Sequence, residues 1–124
     1  MIRGGKLKRL GDIGEDMASK YLSEQGHRIL ERNWRAGHLE VDIISINSDG
    51  VHFVEVKSKT APYDVQPEEK VNKIKQKRIE RAALRYINEK SPSAEVFFDV
   101  LTVVFDRDKF EIHYFPQAYM PVYI

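Results

Sequence analysis

The chain has 124 residues, 42% hydrophobic and 31% charged, with 20 basic and 19 acidic side chains and a net charge of +1, the proportions of one soluble globular domain with a real core. Cysteine is absent, which excludes a disulfide scaffold, a thiolate metal site and a cysteine nucleophile. No run of about 18 apolar residues occurs and no apolar segment follows the basic start, so the expectation is a cytoplasmic protein with neither membrane span nor secretory signal.

Arg3, Lys6, Lys8 and Arg9 crowd the beginning, a flexible basic segment over about residues 1–9. Residues 12 to 25 carry Ile13, Met17, Ala18, Tyr21 and Leu22 at helical spacing, and Gly26 stands where a C-terminal cap glycine would. His27 to Asn33 is a weak strand pattern around Ile29 and Leu30. Leu39 to Ile46 alternates, Asn47 to Gly50 supplies turn residues, and Val51 to Lys57 alternates again. Thr60 to Pro67 is a loop with two prolines. Glu68 to Asn88 is a long helical pattern ended by Ser91, Pro92 and Ser93. Val96 to Phe105 is almost continuously apolar, as expected of a strand covered on both faces. A turn over Asp106 to Lys109 leads to a last strand, Phe110 to Phe115. The order α-β-β-β-α-β-β predicts a single mixed α/β domain, a central sheet flanked by helices.

Strand geometry singles out four side chains. On alternation Leu39, Val41 and Ile43 share one face of their strand, and Glu40, Asp42 and Ile44 the other. A hairpin loop centred between Ser48 and Asp49 sets Asp42 opposite Glu55 and Glu40 opposite Lys57. Opposed Cβ atoms lie about 4.5–5.5 Å apart, where two carboxylates repel each other. A divalent cation turns that repulsion into coordination, and hard oxygen ligands suit Mg²⁺ or Mn²⁺. Lys57, on the face of Glu55, is placed to orient or deprotonate a water, or to stabilise phosphate charge. Glu40 has a second reading as a cross-strand ion pair with Lys57, and Asp42 one as a solvated strand residue. Gly14 falls inside the buried arc of the first helix, where glycine permits close approach. Glu15 lies at the edge of that arc. Spacing alone makes it a glutamate favoured by the helix dipole.

On these residues the sequence resembles the YraN-like family of small bacterial proteins, within the restriction-endonuclease-like PD-(D/E)XK superfamily and close to the archaeal Holliday-junction resolvases. The blocks that carry the resemblance are Gly11 to Ala18 with Tyr21, Leu22 and Gly26; Arg32 to Arg35 with Glu40 to Ile44; Phe53 to Lys57; a helix block from Val71 to Ile87; and Phe98 to Val100. The resemblance implies a restriction-endonuclease-like fold and Mg²⁺-dependent phosphodiester hydrolysis, with Asp42 and Glu55 on the metal and Lys57 as the catalytic lysine. It also implies that Glu15 completes the site and that Gln66 stands where some relatives carry a further active-site glutamine. Leu39 departs from the glycine many relatives have before the Glu-x-Asp motif.

The second helix adds the partner surface. Val71, Ile79, Ala82, Ala83 and Tyr86 form its buried arc, and Lys75 falls inside it, where a lysine must snorkel, pair or work. Lys70, Lys73, Lys77 and Arg81 form an outer stripe suited to phosphates or to plain solubility. Trp34 and His113 read as structural, Asp99 as paired or at a strand end, and the apolar tail from Gln117 to Ile124 as docked on its own core or on a second copy. The resulting expectation is a nucleic-acid-binding, Mg²⁺- or Mn²⁺-dependent endonuclease for DNA rather than RNA, on branched or junction substrates, where a homodimer would supply two cuts. The alternatives are a binding module that does not cut, and a protein-interaction role with a relic site.

Overall fold

Alternating apolar side chains along residues 39–46 and 51–57, with the apolar run from Val96, build one sheet. The computed structural model describes residues 9–66, 71–90 and 93–119. Its elements are α1 (Leu10–Glu24), β1 (Arg28–Ala36), β2 (Leu39–Ile46), β3 (Val51–Thr60), α2 (Lys73–Lys90), β4 (Val96–Asp106) and β5 (Lys109–Phe115). The sheet is five-stranded and mixed, in the order β1-β2-β3-β4-β5. Strands β3 and β4 run parallel, and the other neighbours are antiparallel. A parallel pair needs a crossover, and α2 supplies it. No helix among the described residues is long and apolar enough to cross a membrane. Residues 1–8 of the basic start, Lys70 of the basic stripe, Ser91 and Pro92, and residues 120–124 of the apolar tail lie outside the described residues.

The two helices cover opposite faces. Ala18 and Leu22 of α1 pack with Ile43, Val54, Leu101 and Val103. Ile79, Ala82, Ala83 and Tyr86 of α2 pack with Ile44, Phe53 and Phe98. Val54 and Phe53, adjacent in β3, serve different helices, as strand alternation requires. Gly14 is buried under the sheet, and a Cβ there would stand 1.9 Å from Ser58 Oγ. Glycine is what lets α1 lie this close to β3, which in turn brings Glu15 to the sheet. Gly26 adopts φ 95° after the helix, and the His27 amide donates to Leu22 O at 2.9 Å, closing the C-terminus as the sequence suggested.

Several boundaries differ from expectation. Helix α2 begins at Lys73, with Val71 and Asn72 outside it, because Asn72 caps it: Asn72 Oδ1 accepts the Lys75 amide at 2.9 Å; Glu68 to Lys70 of the expected helix lie outside the described residues. Strand β3 continues to Thr60, three residues beyond Lys57, because its parallel ladder with β4 runs on to Thr60 and Phe105. Strand β1 reaches Ala36 rather than Asn33 by pairing with β2 as far as Leu39. Leu39 and Val41 were expected beside Ile43, yet they pack in the cluster of α2. Asn33, with φ 50°, sits in β1 between the registered pairs Arg32–Ile43 and Trp34–Val41, where a left-handed residue breaks the simple alternation.

Candidate functional site

The site begins at the β2–β3 hairpin. Its four-residue loop is closed by the Asn47 amide donating to Gly50 O at 3.0 Å. From Ile46–Val51 to Ile43–Val54 the ladder follows the register expected from the loop centre. Beyond that pair the regular pairing gives way to a side chain. Asp42 Oδ2 accepts the Val56 amide at 2.9 Å, the role a strand carbonyl would otherwise have. Asp42 and Glu55 are thereby brought into hydrogen-bonding contact at the end of the ladder.

Both carboxylates are withdrawn from water, Glu55 with only 8% of its surface exposed. The Lys75 ammonium, from the first turn of α2, pairs with Glu55 Oε2. Burial first, then the Glu55 charge beside it, pushes the Asp42 carboxyl up to about 8, against the opposing pull of the Val56 amide. Burial also raises Glu15, opposed by a hydrogen bond from Asn33 and by the Arg32 charge, while Asp12 and Glu40 push it further up. Lys75 is raised as well. Burial works against its charge, but the bond to Glu55 and the fields of Asp42 and Glu40 outweigh that.

Glu15 approaches the pair from α1 and acts electrostatically on Asp42. Its Oε1 is buried without a hydrogen-bond partner, and the nearest guanidinium nitrogen, Arg32 Nη2, stands 3.9 Å away. Arg32 makes its closer contact with Asp16, at 2.9 Å. Glu40 finds its partner in β1. Arg35 pairs with it, with Nε and Nη2 both 2.9 Å from Glu40 Oε2, because Arg35 is its registered neighbour in β1.

Glu40, Asp42 and Glu55 form one wall of a cleft of about 700 Å³, and His38 stands beside them. The other wall is the start of α2, with Asn72, Lys73, Ile74, Lys75, Arg78 and Ile79. An acidic strand wall thus faces a basic helix wall. Among the described residues no three His, Asp or Glu side chains converge into a metal cage. Two carboxylates and one orphaned carboxylate oxygen nearby still fit Mg²⁺ or Mn²⁺, which are commonly held by one or two carboxylates and keep several waters.

The structure gathers Asp42, Glu55, Glu40, Lys73 and Lys75 about the cleft and brings Glu15 close behind. Lys57 is half-buried on β3, two residues from Glu55 and so on its face, in register with Thr102. Lys77 and Arg81 lie exposed along α2, outside the cleft lining. Gln66 is not brought in: it is exposed, and its Nε2 donates to Asp64 O at 3.3 Å and to Asp64 Oδ2 at 3.2 Å within its own loop. Arg78 and Asn72 line the cleft without having been singled out. The signal for Arg78 was its spacing of three from Lys75, and for Asn72 its cap position.

Fold and site together define a small mixed α/β protein with a carboxylate pair in a two-signed cleft. The profile of the uncharacterised protein family UPF0102 matches residues 14–103, a span that contains Glu15, Asp42, Glu55, Lys57 and Lys75. A UPF0102 protein of Bacteroides thetaiotaomicron is 39% identical over 112 residues, 90% of this chain and 93% of the relative. One from Clostridium perfringens is 36% identical over 115 residues (90% and 94%), and one from Alkaliphilus metalliredigens 38% over 113 (90% and 98%). The chain belongs to the UPF0102 family.

Proposed function

We propose that this chain is a divalent-metal-dependent phosphodiesterase of the restriction-endonuclease-like PD-(D/E)XK type, acting on nucleic acid, with DNA as the expected substrate. The observation that carries this reading is the buried contact of Asp42 with Glu55 at the mouth of a cleft whose far wall is cationic. Two carboxylates forced together cost stability in a fold that has no use for them. Phosphate esters are anionic, and Lys73 and Arg78 offer them charge opposite the acidic wall.

Asp42 and Glu55 would hold the Mg²⁺ or Mn²⁺. Bound there, the metal supplies Lewis acidity toward a phosphoryl oxygen and a lowered water pKa. The chain's own residues do the rest. The Val56 amide fixes the rotamer of Asp42. Lys57, on the face of Glu55, orients the attacking water or meets the developing charge. Glu15 adds a carboxylate from the α1 side. Lys73, Lys77 and Arg81 give α2 a track for the phosphate backbone, and binding through it would fall steeply with salt.

The test is a cleavage panel with Mg²⁺ and with Mn²⁺ on single strands, duplex, flaps, four-way junctions and RNA, run beside Asp42→Asn. Metal-dependent cuts that vanish in the variant are the expected result. Salt-sensitive binding without product would make the chain a binding module. Neither binding nor cutting would point to a protein-interaction role.

A further inference from the structure

Lys75 has an unusual position for a lysine so open to water. Its side chain is 52% exposed, yet its ammonium turns back into the cleft to Glu55, which is 9% exposed. The backbone at this point is pinned. Asn72 Oδ1 accepts the Lys75 amide at 2.9 Å, Asn72 O accepts the Gln76 amide at 2.9 Å, and Gln76 Nε2 donates to Val71 O at 2.7 Å. The first turn of α2 is therefore fixed from both sides, and Lys75 leaves it at a set place over β3. Of the other carboxylates about the pair, Glu40 has Arg35, Asp42 has the Val56 amide, and Glu15 has a hydrogen bond from Asn33 and Arg32 at 3.9 Å, with its Oε1 left without a hydrogen-bond partner. Lys75 is the cation bonded to Glu55.

Lys75 holds one of the two oxygens of a carboxylate that a divalent cation at Asp42 and Glu55 would draw on. An ammonium and a divalent cation on one carboxylate repel strongly when both are shielded from water. We propose that Lys75 is a built-in counter-cation that competes with the metal for Glu55 and must swing away for the metal to bind. This rests on reading Asp42 and Glu55 as the metal carboxylates. Once released, the ammonium stands at the rim of the cleft with Lys73 and Arg78, where a phosphate would enter. Lys75 is then a positioning residue that sets metal affinity: apparent binding is weakened by the fraction of molecules whose site the lysine fills.

The experiment is Mn²⁺ binding by calorimetry, without nucleic acid, on the wild type, Lys75→Met, Lys75→Arg, Lys73→Met and Asp42→Asn. If the lysine fills the site nine-tenths of the time, Lys75→Met binds Mn²⁺ roughly tenfold more tightly. Lys75→Arg, which restores a cation to Glu55, stays near wild type. Lys73→Met removes the same charge from the cleft without touching Glu55 and gains much less. A second readout is thermal unfolding. Metal-free Lys75→Met melts below wild type, since Glu55 loses its partner, and gains more from saturating Mn²⁺. Equal or weaker binding by Lys75→Met, or an equal gain in Lys73→Met, overturns the proposal while leaving the metal reading intact, provided Asp42→Asn abolishes binding. Absence of Mn²⁺ binding in both wild type and Lys75→Met overturns both.

Discussion

Asp42 is where strand pairing, burial and charge meet in one side chain. Its Oδ2 is committed to the Val56 amide, and its carboxyl is raised from 3.8 to about 8 by burial and by Glu55. The folded protein therefore holds this proton more tightly than the unfolded chain does. In the metal-free protein the resulting stability is full below the unfolded value near 3.8 and is lost as pH rises toward about 8. Asn keeps an oxygen for the Val56 amide and carries no charge. Asp42→Asn should therefore raise metal-free stability at pH 8 by about 1–3 kcal/mol, the usual scale for relieving an unfavourably buried polar group. Urea unfolding across pH checks this: the variant should lose the downward slope that the wild type shows. The Asp42–Glu55 contact was legible in the sequence because a turn at Asn47 to Gly50 fixes which residues face each other. The pairing of Glu40 with Arg35 was not legible. It depends on β1, whose weak pattern gave no register.

At the scale of elements, Gly14 decides how close α1 comes to the sheet. A Cβ would meet Ser58 Oγ at 1.9 Å and Ser58 Cβ at 3.2 Å. The hydroxyl can rotate aside, and alanine gains about 1 kcal/mol of helix propensity over glycine, so Gly14→Ala should be near neutral. Gly14→Leu has no such escape and should cost about 2–3 kcal/mol as an overpacked interface. It should also move Glu15 off the sheet. Thermal unfolding of the two variants side by side separates these cases. The close approach was readable from a glycine inside an apolar helical arc. The start of α2 was misread because the helical pattern of charged residues runs through Val71 and Asn72, and only the Asn72 side chain, bonded to the Lys75 amide, shows where the helix begins. The true extent of β3 depends on β4, some forty residues further along the chain, and local alternation does not record such a partner.

Across the whole molecule, a buried polar network at the hairpin end of the sheet joins the turn after α1 to β2, β3, β4 and β5. Asp99, fully buried, accepts from His52 Nδ1 at 2.6 Å, from the Tyr114 hydroxyl, and from the Gln117 amide at 2.9 Å. Asn47 Oδ1 takes the amides of Asp49 and Gly50 at 2.9 and 3.3 Å and faces His52 Nε2 at 3.0 Å. Both ring nitrogens of His52 therefore face acceptors. Asn47 Nδ2, on the other side, faces His27 Nε2 at 3.4 Å, and His27 Nδ1 meets Ser45 Oγ at 2.8 Å. Removing Asp99 would strand three donors at once. Asp99→Ala should cost about 3–5 kcal/mol, read as a large drop in the unfolding midpoint. His27 is held below its usual 6.5 by burial and by the His52 charge, with Asp99 and Asp49 opposing. The unfolded chain then takes up this proton first. The stability His27 contributes is present above 6.5 and is lost as pH falls below it, and His27→Gln should flatten that acid limb. The sequence marked Asp99 as paired or at a strand end but could not name His52, because the two meet only when β3 and β4 lie side by side. The docking of the tail is visible as far as Tyr119, whose ring stacks on Phe98 at 5.3 Å.

The central claim is that Asp42 and Glu55 serve chemistry rather than folding, and Asp42→Asn separates the two most directly. The measurement is Mn²⁺-dependent cleavage of the best nucleic-acid substrate by wild type and variant, at a pH and temperature where unfolding shows both fully folded. The account predicts a variant at least as stable as wild type without metal, yet devoid of cleavage. A variant that cuts at the wild-type rate and binds Mn²⁺ as tightly would contradict it.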